Sequence, residues 1–130
     1  MPRLLIHPEA GQDLHALAAS QPKLAGRLAA LLQEVAADPA LMDMLTVHGF
    51  GSDEREPFDV SRWQAHWKRG KDLWRLKFWE LEHQGLPYRV IYALKRGTGD
   101  YHVLAIASRD FDYDPNHPTT RRILQAYADL

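Results

Sequence analysis

The most constraining feature of the chain is a run of three strand-like segments in its second half, joined by short turns that contain glycine. In the first segment, apolar side chains alternate with Arg75 and Lys77, which is the period of two expected of a half-buried strand. The later segments are rich in aromatic and β-branched residues. Strands connected this closely pair with their neighbours. We therefore predict an antiparallel meander over residues 74–78, 88–94 and 101–107, with a bulge at Phe78-Trp79, where the alternation changes parity.

The first half of the chain has helical periodicity instead. A short apolar strand, Leu4-Leu5-Ile6, is followed by Pro8, which suits the first position of a helix. A second helix is predicted after Pro22 from apolar residues spaced three and four apart, and it ends at Asp38-Pro39. Because the break between the two helices is very short, we expect an antiparallel helical hairpin.

A last amphipathic helix is predicted to begin near Pro118-Thr119. All three helices need a partner for their apolar faces, so the prediction is a two-layer α+β fold. The short N-terminal strand and the helical hairpin pack on an antiparallel sheet of three to four strands, as a single domain over residues 1–130. Residues 46–62 are expected to form an exposed loop, and Arg75 and Lys77 to lie on a sheet face that stays partly open.

Composition narrows the chemistry. The 130 residues include no cysteine, which excludes disulfides, cysteine-ligated metals and thiol nucleophiles. No apolar stretch approaches the roughly 20 residues of a membrane span, so we expect a cytoplasmic protein without a membrane partner. The seven histidines lack the zinc-hydrolase spacing, and the acidic segment 110–114 lacks the glycine and glutamate of a calcium loop. We therefore expect neither a metal site nor a cofactor.

The formal net charge is only −1, but the charges are unevenly distributed. Residues 61–96 contain nine Lys and Arg against three Asp and Glu, and a basic segment of this kind attracts phosphate. Aromatic rings among cations can stack bases and hold a nucleic-acid backbone, which predicts an RNA contact. There are two alternatives to an RNA contact. The tryptophans could belong to a protein interface, or Trp63 and Trp67, four residues apart, could pack on one side of a short helix. The predicted RNA-binding residues are Trp67, Lys68, Arg69 and Lys71.

The ordered set of elements resembles the RelE/ParE superfamily of toxins from bacterial type II toxin–antitoxin systems. Leu73-Trp74-Arg75-Leu76-Lys77 is similar to the first meander strand of that family, and Tyr88-Arg89-Val90-Ile91-Tyr92 to its next strand. Residues 103–109 resemble its last strand, which ends in a basic residue, and Pro8-Glu9-Ala10 resembles its opening. The resemblance therefore covers nearly the whole chain, although the loop over 46–62 is longer than the family pattern.

The resemblance implies a RelE-like fold and a toxin that a cognate antitoxin neutralises. In one branch the toxin is a metal-independent, ribosome-dependent mRNA endoribonuclease (an mRNA interferase), whose partners are the ribosome and mRNA and whose effect is inhibited translation and growth arrest. In the ParE branch it is a non-enzymatic inhibitor of DNA gyrase. A third alternative is an inactive member of the family that only binds its antitoxin.

Cleavage of RNA through the 2′-hydroxyl needs a base, an acid for the leaving oxygen and cations for the charged phosphate. By resemblance to the family pattern, Lys77 is the candidate base or charge stabiliser. The candidate phosphate clamps are Arg75, Arg89 and Arg109, since the guanidinium fork holds two phosphate oxygens. Tyr113 is the preferred acid for its position, and His117 is the alternative because histidine exchanges protons near neutral pH.

These residues also have structural interpretations. Arg89 would pair with Glu80 or Glu82 across the hairpin. In the same interpretation Arg109 neutralises the acids beside it, Tyr113 is a packed ring, and His117 lies at the start of the last helix with Asn116 as its cap. The acidic segment 110–114 departs from the family pattern and would repel phosphate.

Overall fold

The computed structural model describes residues 2–111 and 114–130, with the backbone alone at Asp110. The elements in chain order are β1 (Leu4–Ile6), α1 (Pro8–Ser20), α2 (Pro22–Ala36), α3 (Pro39–Met42), β2 (Phe58–Arg62), α4 (Gln64–Trp67), β3 (Leu73–Phe78), α5 (Trp79–Glu82), β4 (Tyr88–Lys95), β5 (Asp100–Ser108), a 3-10 turn (Arg109–Phe111) and α6 (Pro118–Ala128). The prediction of an α+β fold is confirmed. Within the described ranges, no helix is long and apolar enough to cross a membrane.

The sheet has five strands in the order β1-β5-β4-β3-β2. β3, β4 and β5 form the predicted antiparallel meander, and β2 extends it by pairing antiparallel with β3. β1 pairs with β5 in parallel. The prediction of three to four antiparallel strands is therefore wrong in strand number and in direction. No tight turn connects β1 to β5, so nothing local to the sequence imposes an antiparallel pairing on them.

The additional strand, β2, lies inside the segment that was expected to be an exposed loop. Phe58 and Val60 are both fully buried, at 0% exposure. The chain just before β2 also covers its outer edge, because the Gly49 N–H donates to the Val60 carbonyl at 2.8 Å and the Val60 N–H donates to the Phe50 carbonyl at 2.9 Å. Residues 47–49 and 52–57 of this segment are exposed, as expected of the loop.

Each face of the sheet has its own core. α1 and α2 pack on one face, where Leu28 and Val35 meet Leu76 and Tyr92. On the other face, the sheet residues Leu73, Ile91 and Leu104 pack with Ile123 and Ala126 of α6. α6 therefore covers part of the face that was predicted to be partly open, over the β5 side, and Arg75 and Lys77 remain half-buried on the β3 side.

The predicted bulge at Phe78-Trp79 is wrong. The strand ends at Phe78, and the next four residues form the one-turn helix α5. A single helical turn changes the parity of apolar residues as effectively as a bulge does, so the sequence pattern is the same for both. The irregularity in the sheet lies instead between Ile91 and Tyr92, in the pairing of β4 with β5.

Candidate nucleic-acid interface

Three of the predicted site residues lie together on one face of the sheet. Arg75 and Lys77 are two residues apart in β3, so their side chains leave the strand on the same face. Arg75 lies opposite Ile91 of β4, and Arg89 precedes Ile91 by two residues, which places Arg89 on that face as well. We call Arg75, Lys77 and Arg89 the basic meander face.

Arg75 is held in place by a strand that was not predicted. Ser61 of β2 lies directly opposite Arg75, and the Arg75 Nε–H donates to Ser61 Oγ at 2.8 Å. Arg75 as a whole is half-buried on the sheet face. β2 therefore fixes the direction of the first cation of the basic meander face.

Lys77 has two neighbours that attract a cation. Its Nζ lies 3.8 Å from Asp59 Oδ2, across the β2–β3 pair, and 4.8 Å from the centre of the Trp79 ring. The Trp79 ring is itself fixed, because its Nε1–H donates to the Gly51 carbonyl at 2.8 Å. Gly51 has a φ of +77°, and a Cβ there would lie 1.8 Å from the Phe58 carbonyl oxygen, so only glycine fits. Through these contacts the loop before β2 determines where the Lys77 ammonium lies.

Arg89 forms an ion pair with Glu82, which confirms one of the two partners expected from the sequence. The pair is largely buried, with side-chain exposures of 10% for Arg89 and 16% for Glu82. Glu80, the other expected partner, binds Arg27 of α2 through a contact of 2.6 Å between Arg27 Nη2 and Glu80 Oε1. Hydrogen bonding between Arg27 and Glu80 lowers the pKa of the glutamate and raises that of the arginine.

Among the described residues, two carboxylates contact the basic meander face: Asp59 contacts Lys77, and Glu82 contacts Arg89. Arg75 donates a hydrogen bond to the Ser61 hydroxyl. An arrangement of this kind can bind a phosphate group, because the cations are already oriented and the arginine forks match phosphate oxygens. The phosphate must share or displace the contacts of Lys77 and Arg89.

Two of the other three predicted catalytic residues lie in the segment that connects β5 to α6. Arg109 begins the 3-10 turn after β5, where its N–H donates to the Pro87 carbonyl at 2.9 Å, and its side chain is exposed. His117, rather than Asn116, caps α6, because its Nδ1 accepts the Thr119 N–H at 3.1 Å. Tyr113 lies outside the described residues.

A second group of cations lies in the turn between α4 and β3. The cations are Lys68, Arg69 and Lys71. Together with Trp67, the last residue of α4, they form what we call the α4–β3 patch. Trp67 is 37% exposed, and one face of its ring is covered by the Arg62 guanidinium, 4.3 Å from the ring centre. The patch adjoins the first residue of β3, whereas Lys77 lies next to the last. The structure thus places the predicted RNA-binding residues and Lys77 at different ends of that strand.

Trp63 and Trp67 do not pack one side of a short helix, as the alternative interpretation had it. Trp63 is only 3% exposed and belongs to the core under α6, where its ring meets the edge of His66 at 4.5 Å. Burial lowers the pKa of His66, and the positive charges of Arg69 and Lys71 lower it further. The Nδ1 of His66 is buried and has no hydrogen-bond partner in the described part of the chain.

Sequence analysis missed Asp59, Ser61 and Trp79 as neighbours of the candidate site. Asp59 and Ser61 alternate with the apolar residues of β2, so the signal was present in five residues of sequence. This alternation is short and directly follows an acidic segment that contains glycine, which is typical of a loop, so the segment as a whole was interpreted as a loop. The sequence indicates Trp79 only as part of the expected bulge, and the contact of Trp79 with Lys77 depends on α5, which the sequence does not predict.

Comparison of the chain with protein-family models, with curated proteins and with solved structures finds no match in any of the three. Among residues 2–111 and 114–130, no three His, Asp or Glu side chains are grouped so that they could hold a metal ion. The functional interpretation therefore depends on the geometry of the basic meander face and on the resemblance noted in the sequence.

Proposed function

We propose that the chain is the toxin of a RelE/ParE-type toxin–antitoxin pair and that it cleaves mRNA on the ribosome in the cytoplasm, with a cognate antitoxin as its inhibitor. The observation that carries the proposal is the common face of Arg75, Lys77 and Arg89 on adjacent strands. The order of strand, helical hairpin, meander and terminal helix is compatible with it.

In the proposed reaction, the 2′-oxygen of a ribose attacks the adjacent phosphorus and the bond from phosphorus to the 5′-oxygen breaks. A base takes the proton of the 2′-hydroxyl and an acid protonates the leaving 5′-oxygen, so no other reactant is required. We assign Arg75 and Arg89 to hold the non-bridging phosphate oxygens. Lys77 is assigned to stabilise the charge that develops on them, because its ammonium is fixed beside the same face.

The second candidate function is inhibition of DNA gyrase by binding alone. It is favoured by the contacts that Lys77 and Arg89 already make with Asp59 and Glu82, which reduce the charge offered to a phosphate. A toxin that only binds a protein needs no group on this face to interact with a reacting phosphate.

The test is growth arrest on expression, combined with primer extension on cellular mRNA. Wild type should arrest growth and leave transcripts cut at discrete positions, and Arg75→Ala and Lys77→Ala should do neither. Lys23→Ala is the control, since Lys23 is exposed on α2, away from this face. If the two variants arrest growth as wild type does, the site is wrong. Intact transcripts alongside broken chromosomal DNA would favour the gyrase function.

A further inference from the structure

The α4–β3 patch combines an exposed aromatic ring with three cations. Trp67 is 37% exposed, whereas Trp63 and Trp74 are each 3% exposed. In the described part of the chain, Lys68, Arg69 and Lys71 make no ion pair, and Lys68 and Arg69 are exposed. An exposed aromatic ring bordered by cations has the surface chemistry of a site that stacks a base and holds its phosphates.

The ring of Trp67 is held in a defined position. The Arg62 guanidinium lies 4.3 Å from its centre and 5.6 Å from the centre of the Trp74 ring, so the arginine joins the exposed ring to a buried one. Arg62 itself belongs to β2, opposite Trp74 in the sheet. The Arg62 guanidinium therefore covers one face of the Trp67 ring, and the part of the ring that solvent reaches is the part away from Arg62.

The turn after α4 places Lys71 beside the Trp67 ring. The Gly70 N–H donates to the Trp67 carbonyl at 3.0 Å, and the Lys71 N–H donates to the His66 carbonyl at 3.1 Å, which closes the helix C-terminus. Gly70 has a φ of +80°, a conformation that a residue with a side chain rarely adopts. The closed turn brings Lys71 back beside Trp67, and both line one pocket.

That pocket has a volume of about 260 Å³ and is lined by Trp67, Gly70, Lys71, Asp72 and Arg96. Its one carboxylate, Asp72, is neutralised by Arg96, whose Nη2 lies 3.3 Å from Asp72 Oδ1. The charge that the pocket offers to a ligand is therefore positive. The lowered pKa of His66, to which Arg69 and Lys71 both contribute, agrees with a positive potential at this end of the molecule.

We propose that the α4–β3 patch is a binding site for single-stranded nucleic acid, in which a base stacks on the open side of Trp67 and the adjoining phosphates contact Lys68, Arg69 and Lys71. A flat apolar ring bordered by cations fits an unpaired base joined to phosphates, and a duplex hides its bases from such a ring. Arg62 strengthens the stack from behind through its own contact with the ring. The site is independent of the basic meander face and needs no ribosome.

The experiment measures binding of a fluorescein-labelled ten-nucleotide single strand, as RNA and as DNA, by anisotropy over a series of salt concentrations. Trp67→Leu should weaken binding about tenfold, because stacking on an aromatic side chain is worth roughly 1–3 kcal/mol per base. Trp67→Phe should bind within about threefold of wild type, since phenylalanine keeps a face for stacking. Replacing Lys68, Arg69 and Lys71 together with Gln should reduce the slope of log affinity against log salt by about 2, at roughly 0.7 per phosphate contact.

Matched controls separate this site from general attraction of anions. The pair Lys23→Gln and Arg121→Gln removes two exposed cations elsewhere and should leave the affinity unchanged. A duplex of the same sequence and inorganic polyphosphate should both bind more weakly than the single strand. Thermal unfolding of each variant verifies that it folds.

Three results would overturn the inference: no binding by wild type, equal binding by Trp67→Leu, or polyphosphate binding as tight as that of the single strand. A protein that binds the oligonucleotide at Trp67 but leaves cellular mRNA intact keeps this inference and loses the proposed function. A protein that cuts mRNA and shows any of the three results does the reverse.

Discussion

The basic meander face and the α4–β3 patch each present three cations, and they differ in what surrounds those cations. Lys77 and Arg89 lie half-buried or buried on a packed sheet and each contacts a carboxylate. Lys68 and Arg69 lie on an exposed turn and make no ion pair with a described residue. A charge that loses water needs a partner, whereas a charge on a turn keeps its water. Burial therefore determines how much positive charge each region offers to a ligand.

The largest expected difference between the two regions is in stability. Arg89→Ala leaves the Glu82 carboxylate, which is 16% exposed, without its partner and should lower the free energy of unfolding by about 3 kcal/mol. Arg69→Ala removes an exposed side chain and should change it by less than about 0.5 kcal/mol. Urea denaturation monitored by circular dichroism measures both values.

The control for the Arg89 prediction is the double variant Arg89→Leu with Glu82→Leu. Removing both charges leaves no carboxylate unpaired, so the double variant should be more stable than Arg89→Ala alone. Equal losses for Arg89→Ala and Arg69→Ala would show that the two regions do not differ as described.

The Lys77–Asp59 pair should contribute less than the Arg89–Glu82 pair. The side chains are 28% and 21% exposed and the charged atoms are 3.8 Å apart, so water screens the pair more strongly. A double-mutant cycle over Lys77→Ala and Asp59→Ala should give a coupling energy of about 0.5–1 kcal/mol. A coupling energy as large as the stability lost on Arg89→Ala would contradict the expectation that the Lys77–Asp59 pair contributes less than the Arg89–Glu82 pair.

The smallest expected effect is the pH dependence of the free energy of unfolding that comes from His66, next to the α4–β3 patch. Burial lowers the pKa of His66 in the folded protein, with Arg69 and Lys71 adding to the effect, so the fold favours the neutral ring. The unfolded chain takes up the proton first, at its ordinary pKa of 6.5. Stability is therefore fully present above about pH 6.5 and falls as the pH decreases below that value.

His66→Phe should flatten this dependence, because phenylalanine preserves an aromatic edge against Trp63 and has no proton to bind. Denaturation midpoints measured from pH 5 to pH 8 would show it. His102, whose pKa burial also lowers, is still present in the variant and contributes to the remaining slope. An unchanged slope in His66→Phe would contradict the expectation that titration of His66 contributes to the pH dependence of stability.

The parts of the fold with strong periodicity could be predicted from the sequence. The helical hairpin and the three meander strands each repeat their pattern over several residues, so local spacing determines them. β2 could not be predicted with the same ease, because its five residues follow an acidic segment with Gly49, Gly51 and Pro57. Its place in the sheet depends on pairing with β3, a contact distant in sequence.

The partners of the cations were harder to predict than their positions. Glu80 and Glu82 would share one face in a strand, and the sequence offered both to Arg89. In the one-turn helix α5, residues two apart point in nearly opposite directions, so Glu80 reaches Arg27 and Glu82 reaches Arg89. Strand alternation alone places Arg75 and Lys77 on one face, whereas the place of Arg89 on that face depends on the register of β4 against β3. The carboxylates beside these cations depend on β2 and α5.

The most direct test of the proposed function is mRNA cleavage by the purified protein in a reconstituted translation system, mapped by primer extension with wild type, Lys77→Ala and Asp59→Asn. Wild type should cut at discrete positions only when ribosomes are present. Lys77→Ala should reduce the cleavage rate about 100-fold or more, because it removes a cation from the transition state. Asp59→Asn should cut at least as fast as wild type, since it releases the Lys77 ammonium from its carboxylate. Cleavage by Lys77→Ala at the wild-type rate, or no cleavage by wild type, would contradict the assignment of the basic meander face to RNA cleavage.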